Sequence, residues 1–281
     1  MIKPAFLLII YCKKINIEDF ATFEKKRMAN TYLNYISDEH FLKCIANLHS
    51  SYLRAKNNVS KKDFYKNKVD TIKLTFDTKF NEIDEEALIE SEILRQIDKS
   101  INNSIGTFHE QILGGINGFE VGKLSGFDIK ASDDTLFADI KNKHNTMNSS
   151  AAEALFQKLA KYADTYKKST CYWVQILATD SFDSKWAGII NGKEYSHSRV
   201  NKISGDRFYA LLSGEDDALA KLYLALPKAT DAYLATIPKA EEQAKNSALS
   251  EINKEIEKSH RSILDQITFD NFGYYNGFDK L

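Results

Sequence analysis

Arginine is scarce in this chain. Six of its 38 basic residues are arginine (Arg27, Arg54, Arg95, Arg199, Arg207 and Arg261) and the rest are lysine. With the many Asn and Ile, the skew fits the codon usage of an AT-rich genome, and it makes each arginine conspicuous. A surplus of one charge is also missing: 38 basic against 39 acidic residues leave a formal net charge of −1. That excludes a generally polycationic binder and leaves a polyanion partner only through a local patch. The three cysteines, Cys12, Cys44 and Cys171, are far apart, odd in number and form no CxxC. Neither a disulfide framework nor a zinc knuckle is indicated, and a reducing cytoplasm is the expected home. One continuous apolar run starts at Ala5 (AFLLIIY). It is too short to cross a bilayer. Lys13-Lys14 follow and no small-residue cleavage site is present, so it does not read as a signal peptide. It reads as a buried strand, or as a translation extension upstream of Met28. Only three prolines, Pro4, Pro227 and Pro238, interrupt the chain, and no repeat or Gly/Ser linker occurs. The 281 residues are 43% hydrophobic, enough for a real core and against wholesale disorder.

What is present has clear periodicity. Apolar spacing predicts helices over residues 37–55 and 84–113, the latter stopped by Gly114-Gly115. Between them, residues 61–81 are basic and mixed in pattern. Three short strands are expected next: Gly118 to Leu124, Phe127 to Ser132 and Thr135 to Lys141. Ser149 or Ser150 caps a helix to about Lys167, and Cys171 to Ala178 reads as a buried strand. The order is helix, three strands, helix, strand. Lys185 to Ile190 and Lys193 to Val200 flank Asn191-Gly192, a strong hairpin signal. Helices are expected over residues 206–212 and 216–225, and through the polar stretch from Thr230 to about Thr268. The Gly-rich aromatic tail FGYYNGFDKL has no assignable structure.

The chemistry concentrates between Asp128 and Asp139. A two-residue turn at Asp133-Asp134 sets Ser132 against Thr135 and Asp128 directly against Asp139. Opposed Cβ atoms lie roughly 4.5–5.5 Å apart. Lys141 shares that face, while Ile129, Ala131, Leu136, Ala138 and Ile140 form an apolar other face, which makes the register self-consistent. Opposed carboxylates repel, so a cation belongs between them. Lys141 serves in part; magnesium or calcium suits hard oxygen donors better. Such a cation can hold and polarise a phosphodiester, and a neighbouring lysine can assist the water or the developing charge. Two exposed acids on a hairpin edge, solvated by Lys130 and Lys141, are the plainer alternative.

Gly126-Phe127-Asp128 followed by Ala138-Asp139-Ile140-Lys141 resembles the signature of the PD-(D/E)xK nuclease superfamily, whose core has the same element order. More narrowly, NSIGTFHEQILGGINGF (103–119), GFDIK with ADIKNKHNTMNSS (126–150) and KISGDRFYALLSGEDDALAKLYLALP (202–227) resemble the type II restriction endonucleases that cut the interrupted palindrome GGNCC. The likeness covers roughly residues 30–235. Phe127 stands where the superfamily usually has proline, and Asp139 where glutamate is commoner; neither change removes a ligand.

The resemblance implies a mixed α/β fold: a PD-(D/E)xK core over residues 84–225 with a hairpin insertion at 182–201. A mostly helical region at 1–83 and a helical extension at 226–281 complete one globule. It implies a magnesium-dependent cytoplasmic homodimer that cuts both strands of double-stranded DNA, with no nucleotide cofactor and no membrane contact. Asp128 and Asp139 are then metal ligands and Lys141 the catalytic lysine. Glu110, in FHEQIL, is an added carboxylate for the same site, while His109 beside it reads as packing or surface. Asn142, Lys143, His144 and Asn145 follow the catalytic strand in a loop suited to phosphate or base contacts. The hairpin carries Lys185, Lys193, His197 and Arg199. A two-stranded ribbon fits the major groove, and arginine is the commonest guanine reader. Trp173 and Trp186 read as core residues and Cys171 as a small buried hydrophobe. A repair or recombination nuclease on the same core, and a non-catalytic DNA-binding module, are the competing readings.

Overall fold

The sheet is organised around its two most apolar strands. A computed structural model of the chain describes residues 30–57, 60–122, 126–237 and 247–275. The apolar run from Ala5, the Met28 alternative, Leu124, Pro238 and the end of the tail lie outside the described residues. Strands β3 (Leu136–Lys143) and β4 (Thr170–Leu177) run parallel in the middle. Both are buried on two faces over most of their length, as parallel strands covered by helices must be. Outward on one side lie β2 (Ile129–Ala131) and β1 (Phe119–Val121), each antiparallel to its neighbour. On the other side β8 (Val200–Ser204) is parallel to β4, and β5 (Asp183–Lys185) forms an antiparallel edge. The six-stranded order is β1-β2-β3-β4-β8-β5.

The expected order of helix, three strands, helix, strand is what forms. Helix α1 (Asp38–Asn57) is followed by α2 (Lys61–Lys66) and α3 (Thr71–Asn81) in the mixed basic stretch. Helix α4 (Glu85–Leu113) starts at its N-cap Asp84, whose side chain accepts from the Ala87 N–H. Its 29 residues make a rod about 43 Å long. Gly114 ends it for a packing reason rather than a left-handed turn: its φ is −70°. A Cβ there would come within 2.6 Å of Val121 Cγ2, and one on Gly115 would run into the His40 ring.

The β2–β3 register matches expectation: Ile129 pairs with Ala138 and Lys130 with Phe137. The connection is wider than a two-residue turn, because β2 ends at Ala131 and β3 begins at Leu136. Asp133 accepts from the Thr135 N–H at 3.1 Å, and Asp134 sits at φ +60° with its N–H on the Ala131 carbonyl. An aspartate bonding two residues ahead stabilises such a loop. The register survives because a one-residue slip would expose Ile129, Ala131, Leu136, Ala138 and Ile140, all buried in the main core.

The opposite face of the sheet is covered by α5 (Ser149–Thr165). Its N-cap is Asn148, one residue before the expected serine, with its side chain accepting from the Ala151 N–H. Leu155, Phe156 and Leu159 meet Phe137, Cys171 and Val200 in a second core. Trp173 packs against it, and Trp186, buried within it, lies 4.5 Å from Trp173 between ring centres. Asn191-Gly192 makes the expected two-residue turn, with positive φ at both, between β6 (Gly188–Ile190) and β7 (Lys193–Tyr195). The hairpin is shorter than expected: Lys185 belongs to the edge strand β5, and His197 and Arg199 to the connection before β8.

Helix α6 (Gly205–Ser213) follows, and α7 (Ala218–Leu234) continues through Pro227 instead of stopping before it. The C-terminal polar stretch holds two helices, α8 (Ser247–Ser259) and α9 (Ile263–Phe272). Ile252 and Ile267 join Phe64, Val69, Leu74, Leu88, Ile89 and Ile93 in a third core. Residues 64–93 and 252–267 thus share one helical lobe, and α4 runs from it into the main core. No helix among the described residues is long and apolar enough to cross a membrane.

Candidate active site

Asp139 and Lys141 project from one face of β3, and Asp128 lies just before β2 on the same hairpin. The Asp128 N–H donates to the Ala138 carbonyl at 3.0 Å, and its Oδ2 accepts from the Ile140 N–H at 2.6 Å. The first acid is thereby pinned to the strand that carries the second. Asp139 is buried at 8% exposure. Its Oδ1 accepts from Lys141 Nζ, and its Oδ2 lies 3.2 Å from Lys158 Nζ.

Lys158 is not among the residues that the local pattern marks. It comes from α5, donates to the Gly126 carbonyl, and sits 4.1 Å from the centre of the Phe127 ring. One side chain therefore touches the turn leading to Asp128 and the carboxylate of Asp139. Its signal is visible in retrospect: Lys158 lies between Leu155 and Tyr162 at helical spacing, inside the stripe that packs on the sheet. Two aspartates and two lysines leave the cluster formally neutral. Burial pushes the Asp128 carboxyl above its ordinary range; the Ile140 N–H opposes this, the Asp139 charge adds to it, and the two lysines oppose it. Gln175, buried beside Lys141 on β4, is a further polar neighbour.

Glu110 is not drawn into this group. It lies half-buried near the end of α4, where its carbonyl accepts from the Gly114 N–H. Among the described residues no three His, Cys, Asp or Glu side chains are gathered to hold one ion. The oxygens that could hold an ion here are those of Asp128 and Asp139, with the Ile140 carbonyl 3.5 Å from Lys141 Nζ. These are hard oxygen donors around one ammonium, a chemistry that suits magnesium or calcium. His109 is core: its Nδ1 lies 2.8 Å from the Tyr209 hydroxyl, and burial lowers its pKa to about 4.

Asn142 and Lys143 are the last residues of β3 rather than loop, because β3 continues pairing to Lys143 opposite Leu177. His144 and Asn145 make the turn, with the His144 N–H on the Leu177 carbonyl at 3.2 Å. Lys143, His144 and Asn145 are exposed next to Lys141. The other candidates lie elsewhere. Asp139 pairs with Trp173 and Trp173 with Lys202, so Arg199 sits three residues before that level, about 10 Å down the strand direction. Its guanidinium donates to the Lys167 carbonyl and lies 3.7 Å from Asp164. His197 accepts from the Arg199 N–H at 3.1 Å and faces Asp164 at 3.4 Å. Both residues tie the C-terminal end of α5 to β8, where a cation is favourably placed. Lys185 donates to the Ser198 carbonyl. The hairpin itself is held on α5 by Glu153, which accepts from Tyr195, Asn191 and Lys193.

The family described as Eco47II restriction endonuclease matches residues 33–235. The chain belongs to that family. It is 39% identical to the type II restriction enzyme Sau96I of Staphylococcus aureus over 218 residues, 74% of this chain and 84% of that protein. It is 28% identical to the type II restriction enzyme Eco47II of Escherichia coli over 213 residues, 72% of this chain and 88% of that protein. The enzyme is a type II restriction endonuclease. The matched residues contain the Asp128–Asp139 pair, Lys141 and Lys158 but neither α8 nor α9.

Proposed function

We propose that this endonuclease hydrolyses both strands of duplex DNA at a short palindrome of the GGNCC type, as a magnesium-dependent homodimer built on a PD-(D/E)xK core. The observation that carries the reading is that Asp128 and Asp139 are held together on one hairpin, the first by the Ile140 N–H and the second by Lys141. Asp128, Asp139 and the Ile140 carbonyl would hold the ion. Bound there, magnesium supplies Lewis acidity and charge neutralisation at the scissile phosphodiester. The Ile140 N–H holds Asp128 in place before substrate arrives, so little reorganisation is needed at the moment of reaction. Lys141 presents N–H donors to the phosphoryl oxygens and to the attacking water, where negative charge grows. Lys158 keeps the Gly126–Asp128 turn and Asp139 in register. Lys143, His144 and Asn145 are exposed beside this centre to meet backbone or groove. A palindrome calls for a two-fold protein with one centre per strand.

Purified protein with magnesium should convert plasmid DNA to discrete fragments, and EDTA should abolish them. A smear, or no cleavage with any of several divalent metals, would sink the reading. Protection of the plasmid by cytosine methylation within GGNCC sites would establish the sequence.

A further inference from the structure

Helix α4 contains a glycine that its own geometry does not need. Gly106 lies in the interior of a 29-residue helix, where glycine is less favourable than alanine. Its backbone does not require a left-handed conformation, and a Cβ built on it meets nothing within 4 Å. Gly114 and Gly115 differ, since a Cβ on either collides with a neighbour. Gly106 therefore leaves space open without helping the protein pack.

That space is a groove. Asn102, Asn103 and Gly106 form one wall, and Lys141, Asn142 and Lys143 at the end of β3 form the other, around a cavity of about 440 Å³. No acidic residue lines it. Lys143 is exposed and forms no ion pair among the described residues. Lys141 lines the groove and also bonds Asp139, so the end of β3 joins the groove to the carboxylate cluster. Asn103 also lines a cavity of about 820 Å³ between α1 and α4 that holds Arg54, which continues the path across α4.

We propose that this groove seats the sugar–phosphate backbone of the cut strand beside the scissile bond, and that Gly106 is the residue that keeps it open. The inference rests on the DNA-cleaving reading above. Side-chain amides and lysines on its walls suit phosphate oxygens, its largely apolar lining, Ile140 included, suits the deoxyribose, and a missing Cβ lets the strand approach the helix backbone closely. Here stability has been traded for access.

The test separates access from folding. Gly106→Ala and Gly106→Leu are compared with wild type by thermal melting, by plasmid cleavage in magnesium, and by anisotropy on a labelled duplex carrying GGACC in calcium. Gly106→Ala should melt about 2 °C higher, because alanine is the better helix former. Gly106→Leu should bind roughly tenfold weaker or worse, and the slope of log affinity against log salt should fall by about one phosphate contact. Wild-type binding and cutting by Gly106→Leu, or a lower melting temperature for Gly106→Ala, overturns the groove assignment alone. Failure of the cleavage reading looks different: wild type then cuts no duplex in magnesium, and the groove assignment falls with it.

Discussion

The sheet half of the molecule, which carries the candidate site, and the helical lobe are both well packed, but they differ in how much of each falls within the family match. The sheet core joins neighbours, as β2 with β3, and distant segments alike, as where the Tyr35 hydroxyl donates to the Ala218 carbonyl at 3.0 Å. The lobe is closed by contacts between distant segments. Asn271, fully buried, donates to the Val69 carbonyl and accepts from the Val69 N–H, both at 3.3 Å. Lys61 pairs with Glu255 and with Asp270 at 3.0 Å. The core lies inside the region shared with the family, while α8 and α9 lie beyond it. The contrast suggests a division of labour in which the core carries the chemistry and the lobe stabilises one end of α4.

The sharpest way to break that comparison is to change one acid in the core. Asp139→Ala should lower the cleavage rate by roughly 10³-fold or more, with duplex binding retained. Retained cutting would sink the site assignment. Next in size, Lys158→Met should slow cleavage by about 10–100-fold, as the loss of an outer partner of a metal ligand does. Calcium affinity measured by titration should weaken with it, and Lys158→Arg should recover part of both. A Lys158→Met protein with wild-type calcium affinity would remove the positioning role.

In the lobe the expected response is reversed. Asn271→Ala leaves the buried Val69 N–H and C=O unpaired and should cost about 2–3 kcal/mol, with cleavage below the melting range unchanged. Calorimetry beside a cleavage assay checks this, and a large loss of activity in the folded variant would end the division of labour. The smallest effect should appear where the hairpin meets α5. Hydrogen bonds from Tyr195, then Asn191 and Lys193, hold the Glu153 carboxyl down to about 2, against an ordinary value of 4.5. A carboxyl lowered on folding stabilises the folded state above its unfolded pKa, and this is lost as pH falls from about 4.5 toward 2. Trp186, buried beside Phe156 at the hairpin's foot, reports docking by fluorescence. Glu153→Gln should flatten that part of the pH profile, and an unchanged profile would remove the clasp.

Much of the catalytic core is legible in the sequence because strand alternation and short-range pairing are local. Ile129, Ala131, Leu136, Ala138 and Ile140 could all be buried together only in one register, and that register brings Asp128 onto the stretch of β3 that carries Asp139. Boundaries shifted where a local bond competed, as when Asn148 took the helix cap or Asp133 widened the turn. Arg199 was conspicuous by rarity, yet composition says nothing of partners; the fold ties its guanidinium to the end of α5. The lobe was hidden for a related reason: neither residues 61–97 nor 250–271 carry a signal that they pack on each other.

By itself the sequence determined the scarcity of arginine, the long α4, the Asn191-Gly192 turn and the carboxylate hairpin with Lys141. Each follows from periodicity or backbone preference within about a dozen residues. Only the tertiary structure decided that Lys158 reaches Asp139, that residues 64–93 and 252–267 share a core, and that Gly106 faces open space beside Lys141. Those outcomes depend on how helices lie across the sheet and on one another, and that geometry emerges only when the apolar faces are buried together.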